Sequence, residues 1–129
     1  MDSVAIVTGG SRGIGRATAL AAARRGYKVV VGYASNKAAA DEVVAAIAAG
    51  NGKAIAVKCD VGVEADIVDL FKQADGFGTL AALVNNAGVV DRTARVDEMS
   101  AERLARMMTV NVVGSILCAR EAVKRMSRK

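Results

Sequence analysis

The chain has 129 residues, of which 53% are hydrophobic, 3% aromatic and 24% charged, and this composition indicates one folded domain and excludes a disordered chain. It has no histidine and two widely separated cysteines, Cys59 and Cys118, so we expect neither a metal site nor a disulfide framework. The net charge of +5 lies mostly in the last ten residues, which is more typical of a solvated helix end than of a nucleic-acid interface. No apolar run approaches the roughly 20 residues of a membrane span and no signal peptide is recognisable. We therefore expect a cytoplasmic protein with neither nucleic acid nor membrane as a partner.

Short apolar runs alternate with helical segments along the whole chain. In chain order, the pattern predicts a strand at 4–7, a helix at 14–25, a strand at 28–33, a helix at 37–49, a strand at 54–58, a helix at 65–74, a strand at 80–84 and a long helix at 100–127. Strands that are apolar on both faces, each followed by a helix, favour a parallel sheet with helices on both faces. Right-handed crossovers then favour an α/β fold with a Rossmann-type doubly wound sheet in the order 3-2-1-4.

The turn after the first predicted strand is rich in glycine. Glycine lets the backbone turn sharply and approach a pyrophosphate, while the following helix offers free N–H groups and the positive end of its dipole. A glycine-rich turn alone could be purely structural, but its position between a strand and a helix favours dinucleotide binding. The predicted contact residues in this turn are Gly9, Ser11, Arg12, Gly13, Ile14 and Gly15.

The end of the second predicted strand decides which dinucleotide is expected. An acidic residue there would bind the ribose hydroxyls of NAD, but this sequence has Tyr33, Ala34, Ser35 and Asn36. Arg12 is then available to pair with a 2′-phosphate, and Ser35 and Asn36 to add hydrogen bonds. The alternative is that Arg12 is merely a solvated loop residue. We expect NADP as the cofactor, with NAD as the second choice.

Four motifs follow one another in the chain: TGGSRGIG at 8–15, CDV at 59–61, NNAG at 85–88 and TVNVVG at 109–114. Together they resemble the short-chain dehydrogenase/reductase family over residues 4–126. The resemblance implies NAD(P)-dependent reduction of a carbonyl or oxidation of an alcohol, on a small-molecule substrate. Within the family, the chain is most similar to NADP-using members such as β-ketoacyl-carrier-protein reductases and sugar dehydrogenases.

The resemblance also implies roles for residues beyond the glycine-rich turn. Asp60 would accept from the adenine amino group, with Val61 beside the ring, although Asp60 could equally be a helix cap. Residues that would form the wall near the adenosine and nicotinamide riboses are Asn86, Ala87 and Gly88. For Asn86 and its neighbour Asn85, the alternative is that they only tie strand backbones together.

Asn111 lies at helical spacing from Met107, Met108 and Cys118, so we expect it on a buried apolar stripe. Its amide would then need partners, and a core asparagine satisfied by local backbone is the alternative to a functional one. The resemblance implies that Asn111 belongs to the catalytic machinery, distorts this helix and holds a water in a proton relay. It also implies that the helix packs against a second subunit, so we expect a homo-oligomer.

The catalytic Ser, Tyr and Lys of the family are not matched in this sequence. The one YxxxK pattern, Tyr33 to Lys37, ends the second strand on the adenosine side, so we reject it, and Tyr27 has no lysine at that spacing. We expect residues 1–129 to be an NAD(P)-binding Rossmann domain without its C-terminal half, inactive alone, in which 89–99 supplies one wall of the substrate pocket. The alternative is a non-catalytic nucleotide-binding or regulatory module.

Overall fold

The computed structural model describes residues 2–88 and 93–127, and its elements follow the predicted alternation. The strands are β1 (Ser3–Val7), β2 (Lys28–Tyr33), β3 (Ala54–Lys58) and β4 (Thr79–Val84). The helical elements are α1 (Gly13–Arg24), α2 (Lys37–Ala49), α3 (Glu64–Phe77), a 3₁₀ turn (Val96–Glu98), α4 (Ala101–Met108), a π-helical segment (Thr109–Gly114) and α5 (Ser115–Met126).

The four strands form one parallel sheet in the order β3-β2-β1-β4, which confirms the predicted topology. Ile6 pairs with Val30 of β2 and with Leu83 of β4. The register between β1 and β4 shifts after Val4, so that Ala81 is an extra residue in β4. Because all strands run in the same direction, the loops that follow them meet at one edge of the sheet.

Alternate strand residues pack on opposite faces of the sheet, as expected for a sheet covered on both sides. Val4 and Ile6 of β1 belong to a core that includes Leu70 and Phe71 of α3. Val7 belongs to the other core, which is formed with α1 and α2 and contains Ala19, Val29, Val31, Val43 and Ile47. Full burial of a valine or leucine side chain contributes roughly 1.5–3 kcal/mol, so these two layers hold the helices against the sheet.

The predicted long helix is interrupted in its middle. The π-helical segment separates α4 from α5, so the helix is distorted around Asn111, as the resemblance implied. Gly114 in this segment lies against the backbone of Val61, and a Cβ atom there would collide with the Val61 carbonyl oxygen. The absent side chain therefore lets the helix approach the loop after β3.

The prediction of one buried apolar stripe on this helix is wrong in part. Cys118 and Ala122 are buried, but Met108 is 57% exposed and Asn111 is exposed as well. The i→i+5 turn of a π-helix shifts the rows of side chains relative to an unbroken α-helix, so Met108 and Asn111 leave the buried row, whereas Val110 within the segment stays in the core. Large exposed apolar side chains on α4, the π-helical segment and α5 are Leu104, Met108, Val112, Val113, Ile116, Val123 and Met126. In the part of the chain that the structure describes, no helix is long and apolar enough to cross a membrane.

Candidate functional site

The loops after the four strands enclose a groove of about 590 Å³ at the carboxyl edge of the sheet. Its lining comes from the glycine-rich turn, the ends of β2, β3 and β4, helix α4 and the π-helical segment that follows α4. The lining residues are Gly9, Ser11, Arg12, Gly13, Ile14, Ala34, Ser35, Asn36, Cys59, Asp60, Val61, Asn86, Ala87, Gly88, Arg106 and Val110.

Three glycines shape the turn that forms one side of this groove. Gly9 and Gly13 have φ angles of +62° and +58°, which residues with a Cβ atom rarely adopt. Gly15 is buried, and a Cβ atom there would collide with the carbonyl oxygen of Gly9 and the side-chain amide of Asn86. A Cβ atom on Gly13 would meet nothing within 4 Å, so this side of the turn is open to a ligand.

The first turn of α1 faces the groove without a side-chain cap. Its N-cap residue, Arg12, has an extended backbone (φ −158°, ψ 167°) and makes no capping hydrogen bond. By contrast, Asn36 caps α2 by accepting from the N–H of Ala39 (3.0 Å). The first N–H groups of a helix have no partner within the helix, and the dipole is positive there. The start of α1 is therefore suited to a phosphate group.

Thr8 connects the glycine-rich turn to the end of β4. Its hydroxyl donates to the carbonyl oxygen of Val84 (3.3 Å) and accepts from the backbone N–H groups of Asn86 (3.1 Å) and Ala87 (3.0 Å). Thr8 is 2% exposed, so its three hydrogen bonds are shielded from water. Sequence reasoning missed this residue, although a threonine at the buried end of an apolar strand was a signal that its hydroxyl needs partners.

The two asparagines after β4 tie backbone segments together, as one of the two alternatives for them predicts. The Asn86 amide donates to the carbonyl oxygen of Gly9 (2.9 Å), and the Asn85 amide donates to the carbonyl oxygen of Ser115 (3.1 Å). These contacts fix the loop after β4 against the glycine-rich turn on one side and α5 on the other. The wall of the groove is thus completed by the backbone of Ala87 and Gly88.

The groove is almost free of negative charge. Among its described lining residues Asp60 is the one carboxylate, whereas Arg12 and Arg106 are two exposed cations. Asp60 accepts from the N–H of Gly62 through Oδ1 (2.8 Å). The N-cap of α3 is Val63, so the structure does not support the alternative of Asp60 as that helix's cap.

Cys59 also lines the groove, close to Cys118 in the core beneath it. Both cysteines are buried and unlinked. Burial raises the pKa of Cys59 to about 12 and that of Cys118 to about 11. A thiol with such a pKa stays protonated at neutral pH, so neither cysteine is an effective nucleophile or metal ligand.

Thirteen of the fifteen predicted contact residues line the groove. The two that do not are Gly15, which lies buried beneath the turn, and Tyr33, which is 8% exposed and packs into the core between the sheet, α1 and α2. The structure therefore does not bring the Tyr33 side chain into the groove, because it lies on the same face of β2 as Val29 and Val31. Sequence reasoning missed Cys59, Arg106 and Val110.

Asn111 lies beside the loop after β4. Its side-chain oxygen is 3.2 Å from the position of a Cβ atom built on Gly88, although Gly88 lies far away in the chain. Of the predicted substrate wall at 89–99, residues 89–92 lie outside the described residues, and 93–99 include the 3₁₀ turn.

The profile of the family described as short chain dehydrogenase matches residues 3–129. The chain belongs to this family. The chain is 48% identical to the Uncharacterized oxidoreductase YgfF of Escherichia coli, over 98% of this chain and 52% of that protein. It is 44% identical to a 3-oxoacyl-[acyl-carrier-protein] reductase of Synechocystis, over 98% of this chain and 51% of the relative.

Solved structures of family members share the fold. A short chain dehydrogenase from Burkholderia cenocepacia, crystallised in complex with NADP, superposes with a TM-score of 0.91 at 34% identity, covering 96% of this chain and 51% of that one. A short-chain dehydrogenase/reductase from Serratia marcescens gives a TM-score of 0.92 at 37% identity, over 97% and 51% of the two chains. This short-chain dehydrogenase chain spans about half the length of the relatives it matches.

Proposed function

We propose that this chain binds NADP(H) in the groove and is the cofactor-binding part of an oxidoreductase. That enzyme would transfer hydride between NADP(H) and a small carbonyl or alcohol substrate. The observation that carries the proposal is the charge of the groove at the end of β2, where Ala34, Ser35 and Asn36 stand beside Arg12 and no carboxylate lies among them. A 2′-phosphate would meet a cation and hydrogen-bond donors there instead of repulsion.

The described residues fit a pyrophosphate-linked dinucleotide in three respects. The start of α1 has no side-chain cap, the open side of Gly13 leaves space for a ligand, and Gly15 allows α1 to approach the turn closely. The complex of the Burkholderia relative with NADP supports the choice of ligand. NAD is the second choice.

We assign the groove residues as follows. Arg12, Ser35 and Asn36 would hold the 2′-phosphate, and the first turn of α1 the pyrophosphate. Asp60 would accept from the adenine amino group, with Val61 against the ring. The riboses would lie along the wall formed by Asn86, Ala87 and Gly88.

The reaction needs groups in addition to these. NADPH, when bound, supplies the hydride. Asn111 would act as a positioning residue that holds a water for proton transfer, and its place beside Gly88 is consistent with a role near the nicotinamide end. The exposed apolar row on α4 and α5 supports a homo-oligomer as part of this proposal, and a cytoplasmic location is part of it too.

The proposal is tested by measuring NADPH and NADH affinities of the chain and its Arg12→Ala variant by calorimetry. Hydrogen bonds to charged groups contribute about 1.5–3 kcal/mol, so we expect the variant to bind NADPH roughly ten-fold or more weakly. Its NADH affinity should stay unchanged. Arg24→Ala removes an exposed arginine at the far end of α1 and serves as the matched control. Unchanged NADPH affinity in Arg12→Ala would contradict the role of Arg12, and absence of NADPH binding by the unaltered chain would contradict the proposed function.

A second candidate function is a non-catalytic nucleotide-binding or regulatory module. The observation that favours it is that both tyrosines, Tyr27 and Tyr33, pack into the core formed with α1 and α2, away from the groove. Both candidates share the cofactor site, so binding alone does not separate them.

A further inference from the structure

Arg106 was not among the predicted site residues, yet it lines the groove together with the glycine-rich turn and the loop after β3. It belongs to α4, four residues before Val110, which also lines the groove. Val110 is seated on the loop after β3, with its Cγ2 atom 3.3 Å from the position of a Cβ atom on Gly62. Arg106 lies in the last turn of α4, and Val110 lies in the π-helical segment that follows. Both residues line the same groove as Asp60 and Val61.

This part of the groove combines three kinds of groups. Val61 and Val110 present apolar side chains, and Asp60 presents a carboxylate of which Oδ1 holds the turn. Arg106 adds an exposed guanidinium group. A purine base matches this set, because it has flat apolar faces, an amino group that donates and ring nitrogens that accept. Guanidinium groups stack on bases and donate to their edges.

We propose that Arg106 is an affinity-determining residue for the adenine base of the cofactor, stacking on the ring and acting on NAD and NADP alike. This inference rests on the proposed function, since it assigns a further residue to the same groove. It differs from the role of Arg12, which depends on the 2′-phosphate. Arg106 therefore sets the strength of binding and Arg12 the choice between the two cofactors.

The test uses two adenosine fragments that need only the groove of this chain, 5′-AMP and 2′,5′-ADP. Calorimetry gives the dissociation constants of both for the unaltered chain and for Arg106→Ala, Arg106→Lys, Arg12→Ala and the control Arg24→Ala. Stacking on a base is worth enough to change affinity roughly ten-fold. We expect Arg106→Ala to weaken both ligands by about this factor, leaving their affinity ratio unchanged. Arg12→Ala should weaken 2′,5′-ADP alone.

The Arg106→Lys variant tests whether binding needs the planar guanidinium group or only its positive charge. Lysine keeps the charge but is not planar, so Arg106→Lys should remain weakened toward both ligands. Full rescue by lysine would overturn the stacking role. Unchanged affinities in Arg106→Ala, or a loss confined to 2′,5′-ADP, would overturn the role of Arg106 at the base while leaving the proposed function intact. If the unaltered chain binds neither ligand, the proposed function itself is overturned, and this assignment with it.

Discussion

At the scale of single residues, the groove depends on side chains that are small or that satisfy backbone groups. The hydroxyl of Thr8 holds three backbone groups of β4 and the loop after it. The missing side chain of Gly15 lets α1 begin directly against Gly9 and Asn86. Neither residue needs to contact a ligand, yet both determine where the residues that line the groove are placed.

Replacing Gly15 by alanine should disturb this arrangement. The new Cβ atom would collide with the Gly9 carbonyl oxygen and the Asn86 amide, and overpacking of this kind costs about 1–3 kcal/mol. We expect Gly15→Ala to lower the free energy of unfolding by that amount and to weaken NADPH binding, both measured on the purified variant by urea denaturation and calorimetry. Gly76→Ala is the matched control, because Gly76 lies in α3 and its Cβ atom would meet nothing within 4 Å. The control should be neutral or stabilised, and equal losses in both variants would contradict the packing argument.

Sequence spacing was a good guide to which chain positions line the groove. It was a poorer guide to the direction of their side chains. Tyr33 was predicted as a cofactor-binding residue, but its side chain packs in the core with Val29 and Val31. The two-residue period of a strand already indicated this outcome, since these three residues share one face of β2. Arg106 carried no such signal, because its place in the groove depends on how α4 sits on the loop after β3.

At the scale of elements, the four strands and their order followed from apolar runs and right-handed crossovers. The middle of the predicted long helix was harder to predict. The π-helical segment brings Gly114 against the backbone of Val61, and these two residues are far apart in the chain. A periodicity count extends one helix through this region and therefore placed Asn111 on a buried stripe, whereas it is exposed.

The basic residues of α5 also differ from the expected solvated helix end. Arg125 makes two hydrogen bonds to Asp75 of α3 (2.8 and 3.0 Å), and Arg120 makes one to Glu64 at the start of α3 (2.7 Å). Both arginines and Lys124 also pair with Glu121, which is only 4% exposed. The positive charge near the end of α5 is thus largely a set of ion pairs that fasten α5 to α3.

Glu121 should make stability depend on pH. Burial alone would raise its pKa, but hydrogen bonds from Lys124, Arg120 and Arg125 outweigh this effect and hold the pKa below the usual value of 4.5. A carboxylate whose pKa is lowered by folding stabilises the protein above its unfolded pKa, and this contribution is lost as the pH falls through the folded pKa. We expect Glu121→Gln to cost roughly 2–4 kcal/mol at pH 7, and the difference from the unaltered chain to shrink below pH 4.5.

Urea denaturation at pH 7 and at a pH below 4 measures both quantities for Glu121→Gln. Glu42→Gln, at an exposed position of α2, is the control and should change stability little at either pH. A difference between Glu121→Gln and the unaltered chain that stays constant from neutral to acidic pH would contradict the role assigned to the ionised carboxylate.

At the scale of the whole molecule, two exposed features lie on the same side of the sheet. β4 is an edge strand of the described sheet, and α5 packs beside it with apolar side chains such as Ile116 and Val123 exposed. Exposed apolar patches mark surfaces that contact partners or ligands, and the homo-oligomer that is part of the proposed function would cover this one. The groove lies at the carboxyl edge of the sheet, so covering the face of α4 and α5 leaves the adenosine end accessible.

The whole-molecule prediction concerns turnover. Tyr27 and Tyr33 are the only tyrosines in the 129 residues, and both pack in the core with α1 and α2. Lys37, the lysine of the YxxxK pattern, pairs with Asp41 at 2.7 Å. No tyrosine of this chain is thus placed to exchange a proton with a substrate in the groove. We expect the 129-residue chain to bind NADPH without oxidising it when carbonyl substrates are added, as monitored by NADPH absorbance.

The Tyr33→Phe variant tests whether Tyr33 takes part in any turnover that is observed. The variant removes only a hydroxyl from a side chain that does not line the groove, so its NADPH affinity should equal that of the unaltered chain. NADPH oxidation that depends on the carbonyl compound and disappears in Tyr33→Phe would show that the YxxxK pattern is catalytic. Tyr33 would then react from a position other than the one it has in the core.

Binding without turnover in both proteins, followed by turnover of the same carbonyl compounds in a longer product of the same gene, would support the oxidoreductase over the non-catalytic module. Binding without turnover in every form would favour the module, because the cofactor site would then work without chemistry.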